Sequence, residues 1–436
     1  LMFETLKNAF SSKEIRVKIY ATLALLVVYR LGCFVPLPGL DASVISSLSS
    51  EGLLGMLSAV TGGSMSQGTL FALGIIPFIN AFIIMQLLTL IIPKLEKLSK
   101  EGEEGRQKVT QITRYVALVL AVIQAVGIML NWNNNGAVKP LFSMQSNWLT
   151  IVFGIMFLVA GSVFCMWLSE RITEYGISNG SSLIIFVGIL STAGTVILNS
   201  FTAMKTTPSL VWNFVGFLLL VVAIFFFIVF VDGGERRITV QYAKQVKGNK
   251  MYGGQTTHIP IRINGSGVMP IIFASSFMSF PTMLIQMFGW TGGFVTFYTK
   301  YLTPYGDNAV GSVVYYVVMI LLIVFFAYFY AQMQFNPDDV SRNIQQYGGF
   351  VPGIRPGKAT ADYLRRISDR ITLFGAIFLA VLTVVPTFLF NALGKNLGFA
   401  SAFSATGLLI VVSVALELNK QLESQIMMRH YKGFLK

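Results

Sequence analysis

Charge is what this sequence has least of: only 12% of its 436 residues are Asp, Glu, Lys or Arg, about half the share of a soluble domain. A soluble fold has no place to hide the 54% that are hydrophobic, and a mean hydropathy of +0.68 points to lipid as the solvent. Cysteine is nearly absent. Cys33 and Cys165 stand alone in separate apolar stretches, so neither a disulfide framework nor a metal cluster is indicated, and both read as small buried hydrophobes. His258 and His430 lie far from other ligand types, which argues against a metal site. No G-x-x-x-x-G-K-S/T run occurs, so no phosphate-cradling loop is expected and any energy source must be a partner.

What the chain does have is apolar runs long enough to cross roughly 30 Å of hydrocarbon. They fall at about 19–38, 70–93, 115–132, 148–168, 180–200, 210–231, 268–289, 312–333, 371–393 and 401–418. Basic residues precede the first run, as in a secretory signal, but it ends in GCFVPLPG without an A-x-A-like site and is read as a retained helix. The sequence therefore predicts an all-α polytopic membrane protein with ten transmembrane helices. Of the 32 basic residues, 27 fall in one alternating set of segments: the N-terminal segment, 94–114, 169–179, 232–267, 334–370 and the C-terminal tail. The other set holds Lys139, Lys205, Lys300 and Lys395. By the positive-inside rule the first set and both termini are cytoplasmic, so the net charge of +13 sits in loops facing anionic lipid. Arg30 is the exception, near the outer end of the first span, where it is expected to snorkel to the headgroups.

Ten spans divide into two groups of five, 1–204 and 205–436, and an odd number per group allows inverted repeats around a central pore. The second span of each group carries the same G-x-x-P, at Gly74 to Pro77 and at Gly267 to Pro270. Both segments are candidates for broken or hinged helices, unless the pair is a coincidence of residues common in membrane helices. Ionisable residues are scarce at mid-span, unlike in ion-coupled transporters. Isoleucines stand there instead: Ile75 and Ile79, Ile185 and Ile189, and Ile272. A ring of such side chains would resist wetting and block ions without recognising cargo; lipid contact or helix packing is the alternative for each. Between the first two spans, LLGMLSAVTGGSMSQG at 53–68 is too short to cross, and is either a re-entrant segment or a surface-lying helix. Two cytoplasmic loops are long enough to be functional. In 232–267, RITVQYA and HIPIRI alternate as strands of a projecting hairpin that carries Arg236, Arg237, Lys244, Lys247 and Lys250. In 334–370, Asn336 could cap a helix, and GGFVPGIRPG forms a stiff tip presenting Arg355. These cations either enforce topology, bind anionic lipid, or meet a polyanionic partner such as ribosomal RNA.

Long motifs in order resemble the SecY family, the central channel subunits of bacterial Sec protein translocases. They are YRLGCFVPLPGLD at 29–41, ALGIIPFINAFIIMQLLT at 72–89, KEGEEGRQKVTQITRY at 100–115, ERITEYGISNGSSLIIF at 170–186, GERRITVQYAKQ at 234–245, GVMPIIFASS at 267–276 and FVPGIRPGKAT at 350–360. The resemblance implies an hourglass channel in the bacterial cytoplasmic membrane that translocates secretory proteins and releases membrane segments sideways into lipid. Its pore ring maps to Ile75, Ile79, Ile185, Ile189, Ile272 and Ile410, the last in GLLIVV. Its plug maps to about 53–64, with Leu53, Leu54, Met56, Leu57, Val60 and Ser64. Its lateral gate, between spans two and three and spans seven and eight, would be lined by Asn80, Gln124, Ser276 and Phe280. The basic loops, with Arg355 in GIRPG, would dock the motor ATPase SecA and the ribosome. SecE and SecG are the expected small membrane subunits, and polypeptides bearing signal sequences the cargo. A small-solute transporter would share inverted repeats and broken helices, but predicts a polar midplane site. A purely structural scaffold leaves the arginine-tipped loops unexplained.

Overall fold

The computed structural model describes the chain except for residues 1–9, 11, 50–57, 59–60, 141–146, 208–209, 243–244, 248–249, 253–255, 289–291, 303–308, 395–404 and 434–436. Helices dominate because lipid offers backbone groups no partner, so each crossing segment must satisfy its own hydrogen bonds. In the first group these are α1 (Lys13–Gly32), the short α2 (Ala42–Ser49) and α3 (Ser64–Gln67), α4 (Ile76–Ile91), α5 (Pro93–Lys100), α6 (Glu103–Asn134), α7 (Trp148–Tyr175) and α8 (Gly180–Thr206). In the second they are α9 (Leu210–Asp232), α10 (Met269–Phe288), α11 (Gly293–Tyr301), α12 (Ala309–Gln334), α13 (Pro337–Gln346), α14 (Lys358–Gly394) and α15 (Ala405–Gly433). Each of the ten apolar runs thus overlaps a helix, and among the described residues six helices are by themselves long and apolar enough to cross a membrane.

Burial follows lipid logic. On α9, Phe214, Phe217, Ile224, Ile228 and Val231 recur at helical spacing and pack inward. The opposite face turns Trp212, Leu219, Phe226 and Phe230 outward, with Trp212 81% exposed. In water that face would be a liability; in hydrocarbon it is the solvent-facing side.

Helix packing has the same order in both groups. In the first, α4 packs on α6, α6 on α7, α7 on α8, and α1 on both α7 and α8. In the second, α10 packs on α12, α12 on α14, α14 on α15, and α9 on both α14 and α15. The groups meet along α6 and α10 on one side and along α8 with α15 and α9 on another.

The two G-x-x-P motifs are not breaks inside helices, which corrects the expectation from sequence. Gly74 and Gly267 have φ of 53° and 60°, the left-handed conformation that glycine adopts without steric cost. A helix starts two residues later in each case, at Ile76 and at Met269, with Pro77 and Pro270 in its first turn. A proline there forfeits no helical hydrogen bond. Because α4 has only 16 residues, it spans about 24 Å at 1.5 Å per residue, less than the hydrocarbon core. The buried non-helical stretch before it completes the crossing. Its backbone is satisfied inside protein: the Leu70 N–H donates to the Val35 carbonyl at 2.9 Å and the Ser162 hydroxyl to the Gly74 carbonyl at 3.1 Å.

In the loop between α9 and α10, β1 (Glu235–Tyr242) pairs antiparallel with β4 (Thr256–Arg262), while β2 (Gln245–Lys247) pairs with β3 (Lys250–Tyr252). The two-residue β5 (Gly349–Phe350) adds to the other edge of β1, giving the order β4-β1-β5. The two long loops are therefore one unit rather than two separate projections.

Candidate functional site

Four of the isoleucines singled out above, Ile75, Ile185, Ile189 and Ile410, are buried in one apolar cluster with Tyr29, Phe71, Leu168 and Ile172. Ile79 and Ile272 pack against the same cluster, half-buried, and also border the larger core of the second group. The six come from α4 and the residue before it, α8, α10 and α15, so both groups of helices contribute. The spacing of Ile75 to Ile79 and Ile185 to Ile189 places each pair on one helical face. Cys33 and Cys165, distant in sequence, are also in this cluster, both as buried free thiols.

Gln124 is buried on α6, Ser276 is half-buried and Phe280 exposed on α10, and α6 packs against α10. Asn80 is half-buried on α4, and its Oδ1 is enclosed without a hydrogen-bond partner. Such an acceptor costs about 1–3 kcal/mol. Leu53, Leu54, Met56, Leu57 and Val60 lie outside the described residues; Ser64 is buried at the start of α3.

In the sheet-bearing unit Arg236 and Arg237 are exposed on β1, Arg237 paired with Glu235 at 2.7 Å. Lys247 and Lys250 occupy β2 and β3, and Lys244 lies outside the described residues. Asn336 caps α13 by accepting from the Asp338 N–H at 3.1 Å. The tip that follows turns at Gly353 and Gly357, with φ of 81° and 94°, and leaves the Arg355 side chain exposed. Its base is fixed: the Thr360 hydroxyl donates to the Arg355 carbonyl at 2.9 Å and the Ser341 hydroxyl to the Gly357 carbonyl at 2.7 Å. Beneath it Ile238, Val240, Ile261, Ile344, Val351 and Leu364 form a core shared by both loops and α14.

Two features were not visible in sequence. The loops' shared core depends on β1 pairing with a strand from the other loop, which no local pattern announces. Arg30 does not reach for headgroups: Nη1 donates to the Gly62 carbonyl at 3.3 Å, and the guanidinium lies 5.2 Å from the Phe34 ring centroid.

A family model described as SecY matches residues 69–419. The chain is 40% identical over 445 residues to "Protein translocase subunit SecY" of Bacillus subtilis, and 39% identical over 456 residues to the protein of that name from Streptomyces galbus, with full coverage of both chains in each case. Among solved structures it resembles "The structure of a protein conducting channel" with a TM-score of 0.64 at 19% identity, covering 94% of this chain and 92% of that one. It also resembles "Sec61 in the Canine ribosome-channel complex from the endoplasmic reticulum", with a TM-score of 0.60 at 18% identity and the same coverage. These structural likenesses show a common fold.

Proposed function

The chain belongs to the SecY family, and from that premise we propose that it is a protein-conducting channel of a bacterial membrane, a translocase subunit and not an enzyme. The observation that carries this reading is the meeting of Ile75, Ile79, Ile185, Ile189, Ile272 and Ile410 in one apolar cluster fed by both helix groups. In the resting channel these side chains form the constriction, and the segment 53–64 seals it from outside. A narrow apolar ring excludes water, and with it ions, while tolerating any side chain pushed through it.

The gate opens where α6 meets α10, near Gln124, Ser276 and Phe280, with Asn80 behind it on α4. A signal helix entering this seam moves apolar surface from water to lipid, and at about 25 cal/mol per Å² one segment supplies several kcal/mol, enough to shift a two-state gate. Nascent membrane segments leave by the same seam. The driving force comes from partners: SecA or a ribosome docking on Arg236, Arg237, Lys244, Lys247, Lys250 and Arg355. SecE and SecG complete the assembly, anionic lipids neutralise the remaining loop cations, and both termini face the cytoplasm.

Replacing Ile272 by Asn is expected to wet the constriction and raise the resting ion conductance of the reconstituted protein severalfold. Conductance equal to wild type, with the variant folded and inserted, rejects the ring. Arg355→Glu is expected to cut motor-driven transport at least tenfold, the scale of one charge-assisted contact reversed, while leaving resting conductance unchanged. Wild-type transport by that variant rejects the docking role.

A further inference from the structure

The sheet β4-β1-β5 has two unlike faces. Ile238, Val240 and Ile261 turn one of them into the core shared by the two loops. Residues opposite one another in an antiparallel pair share a face, and alternate residues along a strand switch faces. The register therefore sets the other face: His258 lies opposite Thr239, Thr256 and Phe350 flank Gln241, and Arg237 stands one row further along β1. Thr239 is half-buried and the other five are exposed, Phe350 by 37%. Gly349 obeys the same alternation, since a Cβ there would come within 2.9 Å of Tyr242 Cε1 and 3.1 Å of Ile344 Cγ2, on the core side. The Thr239 hydroxyl and His258 Nδ1 are in hydrogen-bond contact at 3.3 Å, which steadies the imidazole. With strands about 4.8 Å apart and about 3.4 Å per residue along each, Phe350 and His258 stand about 12 Å apart, so neither ring covers the other. Over 235–262 six basic residues meet a single acid, Glu235, and that acid is already paired with Arg237 at 2.7 Å.

We propose that this face is a stacking platform for RNA: it takes unpaired bases on the rings of Phe350 and His258, while Arg237 and the cations around it hold the phosphates. The inference rests on the ribosome docking proposed above and narrows it, from a contact driven by charge alone to one that selects single-stranded loops of the RNA. Aromatic side chains on an open sheet suit this task because every base has a π-face, and the hydroxyls and amide of Thr239, Thr256 and Gln241 can meet base edges. A docking polypeptide would instead need a pocket to desolvate its anchoring side chains, whereas Phe350 is a flat ring among polar neighbours on a cationic unit.

The test measures binding of ribosomes to the native complex in detergent across a salt series, with binding of the motor ATPase followed in parallel. Phe350→Leu keeps apolar bulk and loses the π-face. It is expected to weaken ribosome binding about tenfold, the scale of one base lost from an aromatic platform, with the slope of log affinity against log salt unchanged because no phosphate contact is lost. Phe350→Tyr is expected to restore the affinity, whereas Arg355→Glu is expected to weaken binding and make the slope shallower. Wild-type affinity in Phe350→Leu overturns the platform, and so does a loss that Phe350→Tyr fails to restore. Loss of motor binding with ribosome binding intact assigns the face to a polypeptide and also overturns it. A wild-type complex that leaves ribosomes unbound overturns the docking and the platform with it. Should Phe350→Leu open the loops to protease, His258→Ala carries the test, with a similar loss at unchanged slope expected and wild-type affinity counting against the platform. A photoreactive residue at Gln241 gives a second readout: crosslinks to RNA are expected, and crosslinks to ribosomal proteins alone contradict the proposal.

Discussion

Asp41 accepts three hydrogen bonds, from Lys139 Nζ at 2.7 Å, from the Ser43 hydroxyl at 2.6 Å and from the Ser43 N–H at 3.1 Å. The lysine contact first, and the two serine donors after it, hold its carboxyl well below the usual carboxylate range. Backbone bonds run alongside, from the Asp41 N–H to the Ala137 carbonyl and from the Lys139 N–H to the Gly39 carbonyl, both 2.9 Å. The clip joins the loop after α1 to the loop after α6. A depressed folded-state pKa stabilises above the unfolded value, near 4, and is lost as pH falls from there through the folded value. Asp41→Asn is therefore expected to lower the thermal midpoint in detergent by a constant small amount from pH 7 to about 5, with the deficit shrinking below pH 4. A deficit that widens in acid contradicts the assignment. In the sequence Lys139 read only as one of few cations outside the main basic set. The partner that gives it a structural task lies in another loop, and pairing at that separation leaves no local trace.

Among the elements, the small sheet and the helices around it stand or fall together. Leu364 of α14 is fully buried against residues of both long loops. Leu364→Ala is expected to cost about 2–5 kcal/mol of local stability, and protease sites in 232–267 and 334–370 should open together when intact membranes are digested from the loop side. Exposure of one loop alone would separate the two and refute the shared core. The hairpin itself was legible, since RITVQYA and HIPIRI alternate with the period of a strand, and Ile238, Val240 and Ile261 are the inward positions. The third strand was not, because Gly349 and Phe350 are too few to make a pattern. Gly74 and Gly267 show the opposite error. Composition marked the place where helical geometry changes, but the same Gly and Pro suit a hinge within a helix or the start of one, and only the backbone angles separate them.

For the molecule as a whole, the apolar helices were readable because lipid forces long uninterrupted apolar runs, whereas the order in which they pack is a tertiary property. The paired G-x-x-P motifs hinted at a repeat, and the same order of neighbours recurs in both helix groups. Orientation gives a direct check. With the native thiols buried, Arg355→Cys is expected to react with an impermeant maleimide only from the cytoplasmic side and Lys139→Cys only from the other; reversed sidedness rejects the proposed topology. A last consequence follows from α14, which runs unbroken from the sheet-bearing unit into the membrane. From Lys358 to Pro386 it is about 42 Å of rigid rod at 1.5 Å per residue, rooted beside the small sheet. Tilting one end of such a rod by roughly 10° would displace the other by about 7 Å, more than the rise of a helical turn, so its two ends cannot shift independently.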